Sequence, residues 1–382
     1  MSAPLAGVVV IALEQAVAAP FASRQLADLG ATVIKVERPD GDFARAYDTM
    51  IEGLSTHFVW TNRGKQSIVL DLKAAGDRQT FDALVAGADV LLHNVAPGAA
   101  ERLGLDLDLL VEQHPGLIAC EISGYGRGGP RSDDKAYDLA VQAEAGAFAV
   151  TGAEEMSRVG FSAADIAAGM YALSGILAAL VRRERTGEGA VVRVSMLDAL
   201  VEWMSAPLYA AHFGAEPLMR TGRRHPGIAP YGTFALRSGR TVLVAVQNDR
   251  EWRAMAEVFL GDAGLGTDRR FDTNPHRIAH VAEVESLVRE RLLALDDSEA
   301  LRLLAAAGIA TASVNELDAV WAHPQLRERH RFVSVDTEAG PVELLASPFD
   351  ISGWSAPEGR VPALGEHDPA VVRDIIDHGS AN

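Results

Sequence analysis

The chain has 382 residues, long enough for two domains or one large domain with an insertion. It is 48% hydrophobic and 23% charged, as ordinary globular proteins are, and its net charge of −17 excludes nucleic acid as a main partner, because phosphate backbones need clustered cations. A few local Arg and Lys suffice for a phosphorylated small molecule, so that ligand class stays open. The single cysteine, Cys120, cannot form an internal disulfide; it ends the apolar run Leu117-Ile118-Ala119 and reads as a buried, inert thiol of a reducing cytoplasm. The first residues carry no basic region, and the apolar run after them is too short for a signal peptide or a membrane span. Cytoplasmic localisation without a membrane partner is therefore expected.

In chain order, residues 7–13 are a short β-branched apolar run, read as a buried parallel strand. A helical pattern runs to Leu29 and stops at Gly30, and residues 31–37 form the next strand. Strand, helix and strand over about thirty residues make a βαβ unit. It lacks G-x-G-x-x-G, and the loop expected to hold phosphates carries Glu14 and Gln15 instead, so a dinucleotide site is poorly supported. Residues 41–64 read as a long loop or short helices. Residues 67–73 form a third strand, 75–86 a helix, 89–94 a fourth strand and 117–123 a fifth. The fifth breaks into Gly124-Tyr125-Gly126-Arg127-Gly128-Gly129-Pro130, which suits either a plain surface turn or a loop lying against a ligand.

Tyr137-Asp138 opens a helix through Ala147. Asp165 then heads a long helical run in which Ile166, Met170, Leu173, Ile176, Leu177 and Leu180 recur at helical spacing. Arg182, Arg183, Arg185 and Gly187 supply the stop. Asp165 reads as an N-cap. Two roles stay open for it: simple capping, or a carboxylate held where free N–H groups stabilise developing negative charge, able to act as base or nucleophile. Residues 190–195 are a sixth strand, and 196–213 a helix.

Residues 1–218 thus form an α/β domain with a parallel sheet, and residues 219–230 a linker without apolar period. Residues 231–323 are a smaller α+β domain opening on a hairpin with a Ser238-Gly239 turn, followed by helices at 251–260, 281–294 and 298–307 and a strand at 311–314. Residues 324–382 are short strands and turns with a last helix, read as a return to the large domain. No H-E-x-x-H motif, cysteine cluster, G-x-S-x-G elbow or Walker A loop occurs, so no metal site is expected. One placed carboxylate, a Gly-rich loop, and Arg and Lys at strand ends suit a phosphorylated acyl carrier and covalent carboxylate chemistry.

These residues resemble a family III CoA-transferase of the CaiB/BaiF type along almost the whole chain. The matching stretches are Pro20-Phe21-Ala22 with Leu26-Ala27-Asp28-Leu29-Gly30-Ala31, and Val33-Ile34-Lys35-Val36-Glu37-Arg38-Pro39. Asn94 with Pro97-Gly98, Ser123-Gly124-Tyr125-Gly126, Tyr137-Asp138, the Asp165 stretch and Ala363-Leu364-Gly365-Glu366-His367 continue it. The resemblance implies a Rossmann-like large domain built from both chain ends, a smaller inserted domain, and an interlocked homodimer. It implies no tightly bound cofactor, with coenzyme A thioester and carboxylic acid as substrates. Asp165 is then the nucleophile, working through a mixed anhydride and an aspartyl-CoA thioester, and Gln15 lies near the reacting thioester. Arg38 is implied near the adenine, with Leu72 and Lys73 beside the nucleotide, and Asn94, Tyr125, Gly126, Tyr137 and Asp138 complete the site. The family's Asn-x-Arg-Pro-Gly reads here Asn94-Val95-Ala96-Pro97-Gly98, so Arg102 or Lys65 is expected in place of the missing arginine.

The same fold houses α-methylacyl-CoA racemases, which resemble this chain except that a His-Asp pair stands where it has Tyr137-Asp138. A phenol with a reference pKa of about 10 is a poor second acid–base group, so transferase is preferred to racemase. A non-catalytic CoA-binding protein is the third reading. Residues 47–72 resemble members that handle branched C4–C5 dicarboxylates such as mesaconate, itaconate or citramalate. Arg45, Arg63, Arg223 and Arg224 are candidates for the second carboxylate.

Overall fold

The computed structural model describes residues 2–214, 220–370 and 372. Residues 215–219 of the expected large domain and linker, and nearly all of the expected last helix, lie outside the described residues. The chain divides into two compact units. One comprises residues 1–148, 158–213 and 325–382, the other residues 149–157 and 214–324.

The first unit is built on six strands: β1 (Val9–Leu13), β2 (Thr32–Glu37), β3 (Lys65–Val69), β4 (Val90–His93), β5 (Ile118–Ser123) and β6 (Ala190–Ser195). All are parallel, in the order β3-β2-β1-β4-β5-β6. This is the doubly wound order, whose reversal between β1 and β4 opens a crevice beyond the strands' carboxyl ends. The inner strands are apolar runs because both faces are covered. Val10 and Ala12 point into one core, under α1 (Ala18–Asp28). Val9, Ile11 and Leu13 point into the other, which also holds Phe81, Leu84 and Val85.

Between the strands lie α2 (Thr56–Asn62), α3 (Ala75–Ala86), α4 (Pro97–Arg102), α5 (Leu107–Gln113), α6 (Asp138–Glu144), α7 (Ala147–Val150) and α8 (Ala163–Thr186). After β6 come α9 (Met196–Trp203) and α10 (Ser205–Phe213). Helix α8 is the longest and packs on α1; a Cβ at Gly169 would stand only 2.7 Å from the Ala18 carbonyl oxygen. Only glycine permits that approach. The left-handed Gly187 (φ 73°) ends α8 beyond Arg183 and Arg185 in its last turn, as expected.

In the first unit four of the expected elements differ from expectation. The third strand is Lys65–Val69, not 67–73: the Asp71 N–H turns to the Asp77 carboxylate (2.7 Å), and the Lys73 N–H to Asp71 (3.1 Å), making a turn of Leu72 and Lys73. The helix expected through Ala147 breaks at Gly146 (φ 79°), giving α6 and α7. The helix expected over 196–213 is two helices meeting at Met204. Helix α8 begins at Ala163, with Ser162 in the cap position and Asp165 third in the helix.

The carboxyl-terminal segment supplies an antiparallel hairpin, β10 (Phe332–Thr337) and β11 (Gly340–Leu345) in the unit's own second sheet. Val335 and Val361 pack with Phe58 and Val59 of α2. The Gly64 N–H donates to the Arg360 carbonyl, and the His367 N–H to the Ser67 carbonyl. Arg63 bonds Asp28 at 3.0 Å and also the Leu345 carbonyl.

The second unit holds a three-stranded antiparallel sheet, β7 (Tyr231–Ala235), β8 (Thr241–Ala245) and β9 (Ala310–Ser313). Ser238-Gly239 makes the hairpin turn with φ 88° at Gly239. Helices α11 (Asp249–Ala254), α12 (Asn274–Ala279), α13 (Val281–Ala294) and α14 (Asp297–Ala306) cover it, followed by α15 (Leu317–Trp321). Trp252, Phe259, Phe271, Val284 and Leu304 fill its core.

Candidate active site

Two strand ends meet at the sheet's reversal. Gln15 follows β1 and Asn94 follows β4, and the two bond reciprocally. The Gln15 N–H donates to Asn94 Oδ1 (3.0 Å), and Asn94 Nδ2 donates to the Gln15 carbonyl (2.8 Å). The next residue, Ala16, has φ 62°, a left-handed conformation uncommon for a residue with a Cβ. Glu14 turns inward rather than lining the loop. Its carboxylate meets Lys65 Nζ at 2.6 Å, Lys35 Nζ at 3.5 Å and Ser23 Oγ at 2.6 Å, all buried. Burial pushes the Glu14 carboxyl up, but the two ammonium groups outweigh that and hold it below its ordinary range. Lys65 therefore cannot stand in for the missing arginine at position 96. It is buried, and it also donates to Asn62 and the Pro20 carbonyl, both at 3.0 Å.

Asp165 projects from the first turn of α8. Asp138, the first residue of α6, does the capping expected of Asp165: its Oδ1 accepts the N–H of Ala164 at 2.8 Å and of Asp165 at 3.3 Å. Gln142, one turn along α6 and fully buried, locks the arrangement. Its Nε2 donates to Asp138 Oδ2 (2.7 Å) and the Phe161 carbonyl (3.1 Å), while its Oε1 accepts the Val159 N–H (2.9 Å). The amides of Ala164 and Asp165 are thus occupied, which removes them as the oxyanion donors considered from sequence. The Asp165 carboxylate is half-buried. Among the described residues no hydrogen-bond donor or ion-pair partner reaches it. Burial, reinforced by the Asp138 charge, pushes it up to about 7.

Tyr47 lies within electrostatic reach. Burial, then the charges of Asp42 and Asp165 and the Tyr137 phenol, push its hydroxyl up to about 12. Tyr47 continues an aromatic strip: its ring is 5.4 Å from His57, His57 is 6.4 Å from Trp60, and Trp60 is 5.4 Å from Phe21. Phe21 lies against Gly169, one turn beyond Asp165. Tyr137 is 65% exposed beside this group.

The remaining expected residues follow the carboxyl ends of successive strands. Arg38 is exposed after β2, Leu72 and Lys73 turn after β3, and Arg102 is exposed at the end of α4 after β4. Tyr125 and Gly126 follow β5. The Arg131 guanidinium lies 4.4 Å from the Tyr125 ring centroid, and Gly126 (φ 80°) packs on Ser195. Two cations proposed for a second carboxylate are committed elsewhere: Arg45 forks onto Glu37 (2.7 and 2.9 Å), and Arg63 onto Asp28 (3.0 and 3.1 Å). In the second unit Arg224 stands 3.6 Å from Glu285, and Arg223 is exposed. Sequence reasoning missed Asp42, Lys35, Tyr47 and Gln142. For Lys35 and Asp42 a signal existed, since a lysine inside an apolar strand demands a buried counter-charge. Among the described residues no group of three or more His, Cys, Asp or Glu side chains is placed to hold a metal ion.

A sequence model described as CoA-transferase family III matches residues 5–368. The chain is 33% identical to the succinate–glutarate CoA-transferase of Agrobacterium fabrum, over 97% of this chain and 96% of that protein. It is 34% identical to the acetyl-CoA:oxalate CoA-transferase of Acetobacter aceti, with the same coverages. The crystal structure of a CaiB/BaiF family protein from Brucella suis superposes with a TM-score of 0.84 at 32% identity, covering 99% of this chain and 100% of that one.

Proposed function

The chain belongs to CoA-transferase family III and is a CoA-transferase; from that premise we propose that Asp165 is the nucleophile that carries CoA from one acid to another. The observation behind this is the half-buried Asp165 carboxylate, unpartnered among the described residues and held at about 7 on a helix start that Asp138 caps. The carboxylate attacks the donor thioester carbonyl, the C–S bond breaks, and CoA thiolate leaves a mixed anhydride. The thiolate attacks the aspartyl carbonyl and releases the donor acid, giving an aspartyl-CoA thioester. The acceptor carboxylate then displaces CoA to form a second anhydride, and the thiolate attacks its acceptor carbonyl, giving the new acyl-CoA and free Asp165. Each step exchanges leaving groups of moderate basicity, which lowers the barrier of an otherwise difficult exchange.

Gln15, fixed by Asn94, is proposed to meet the reacting thioester, and Arg38, Leu72, Lys73, Arg102, Tyr125, Gly126 and Tyr137 to line the path of the CoA. Short dicarboxylates are the proposed acids, since the relatives' names include oxalate, succinate and glutarate. The narrower branched C4–C5 class rests on the resemblance of residues 47–72. An interlocked cytoplasmic homodimer is also proposed. Exposed Trp203, Leu208, Tyr209 and Phe213 on α9 and α10, and Leu317 and Trp321 on α15, support burial against a second copy. Light scattering tests the dimer.

The deciding experiment is brief incubation with succinyl-CoA, trapping with hydroxylamine or borohydride, and peptide mapping. A modified Asp165 peptide, absent in Asp165→Ala, is expected. Deuterium entering Cα of an acyl-CoA without an acceptor acid would favour the racemase. Inertness towards a panel of acyl-CoAs would favour a binding protein.

A further inference from the structure

The β1–α1 loop is pinned from below by an ionic cluster that the covalent chemistry does not use. Asp42, 4% exposed, sends one oxygen to two amides: the Ala16 N–H at 3.1 Å and the Ala44 N–H at 2.9 Å. Its other oxygen meets Lys35 Nζ at 2.9 Å, and its own N–H donates to Glu37 at 3.0 Å. Lys35 is fully buried inside β2, and its Nζ also lies 3.5 Å from the Glu14 carbonyl and 3.5 Å from the Glu14 carboxylate. An ammonium buried in a sheet costs more in desolvation than most folds tolerate without a specific return. Capping the short 3₁₀ turn at Phe43–Ala46 needs only a carboxylate or an Asn. It needs neither a buried lysine nor the contact with Ala16, a residue far away in sequence.

We infer that Asp42, held by Lys35, is a positioning residue: it fixes the Ala16 peptide in its left-handed conformation and so aims the Gln15 side chain at the reacting thioester. Three of the four backbone polar groups of Gln15 and Ala16 are thereby claimed by side chains from neighbouring strand ends. Asn94 takes the N–H and C=O of Gln15, and Asp42 takes the N–H of Ala16. The peptide between Gln15 and Ala16 is held at both its carbonyl and its N–H. Rotation about it, the motion that would swing Gln15 away, breaks a bond from each strand end. This inference rests on the proposed place of Gln15 at the thioester.

The test is a double-mutant cycle of Asp42→Ala and Gln15→Ala on the full-length enzyme, with kcat and both KM values measured. If Asp42 acts through Gln15, Asp42→Ala lowers kcat about 10- to 100-fold with KM changed less than about threefold, and adds less than about threefold to Gln15→Ala. Losses that multiply overturn the positioning role, because a general structural defect would damage both backgrounds alike. A Gln15→Ala enzyme with wild-type kcat refutes instead the Gln15 reading on which the inference stands. Asp42→Asn repeats the cycle if Asp42→Ala does not accumulate. It keeps an acceptor for the Ala16 amide but sets an amide beside Lys35, so a smaller loss, again absent in Gln15→Ala, is expected; a loss that persists there overturns the inference.

Discussion

Asp138 accepts the backbone N–H of Asp165 at 3.3 Å, so one carboxylate caps the helix turn from which the other projects. The geometry couples position to acidity. Asp138 fixes the start of α8, and its charge keeps Asp165 protonated to higher pH. Replacing Asp138 by Asn keeps an acceptor for the cap and removes the charge. The Asp165 carboxyl should then ionise at lower pH, and the acid limb of kcat/KM should move the same way. Asp138→Ala removes the cap as well and should cost roughly 1–2 kcal/mol in urea unfolding. A pH profile that stays in place in Asp138→Asn would show that the charge of Asp138 is not felt at Asp165.

Asp165 itself gives two readouts. Its pKa in the fold lies above that of the unfolded chain, so between about pH 4 and pH 7 the native state binds more protons. Stability contributed by the protonated form is present below the unfolded pKa and is lost as pH rises through about 7. Asp165→Asn removes that loss. Its melting temperature should exceed that of the wild type at pH 8, by less as pH falls, and match it only below about pH 4, while turnover and the trapped adduct disappear. With Asp165 as the proposed nucleophile, attack requires its ionised form, so kcat/KM should rise with pH and level off above about 7.

The parts of this architecture that are local in sequence were legible there. Strands β1, β2, β4 and β5 read as apolar runs because helices cover both faces of the sheet, and α8 read through its spacing and its Arg–Gly stop. What failed was anything made by partners far apart. The cap on α8 comes from Asp138, 26 residues before Ala164, and nothing around Asp165 in the sequence shows that a distant carboxylate takes that place. Lys65 looked like a free cation at a strand end and is the buried partner of Glu14, 51 residues away. Arg45 and Arg63 show the same dependence: nothing adjacent to them in sequence shows that Glu37 and Asp28 hold them. The short helices α4 and α5 carry too few turns to show a period; their marks in the sequence are Pro97 at the start of α4 and the Asp106 cap of α5.

Gly169 sets the distance between α1 and α8, and with it the relation of the Gln15 loop to the Asp165 turn. A Cβ there would stand 2.7 Å from the Ala18 carbonyl oxygen and 2.9 Å from the Phe21 ring. The ring can swing aside, but the backbone oxygen cannot. Gly169→Ala should therefore push the helices apart, outweighing the better helix propensity of Ala. A loss of about 1–3 kcal/mol in denaturant unfolding is expected, together with reduced kcat. An Ala variant as stable and active as the wild type would mean that α1 and α8 slide without consequence for the site.

The sequence departs from its family's Asn-x-Arg-Pro-Gly at Ala96, and of the two expected replacements only Arg102 remains open, since Lys65 is sealed against Glu14. Ala96 is exposed at the cap of α4, and Arg102 is exposed at that helix's last residue, its guanidinium near Gly98. A cation that meets a phosphate far from the reacting carbonyl contributes equally to substrate and transition state, so its loss changes KM and leaves kcat alone. Arg102→Ala should raise KM for the acyl-CoA about 3- to 30-fold, in line with a partly exposed charge-assisted contact, without touching KM for the acceptor acid. Ala96→Arg, which restores the family residue on an exposed position, should lower that KM and compensate Arg102→Ala in the double variant. Added salt should narrow the difference between the variants, because exposed charge pairs are screened. An Arg102→Ala enzyme with unchanged KM for acyl-CoA at low salt would remove Arg102 from the CoA path and leave position 96 without a replacement.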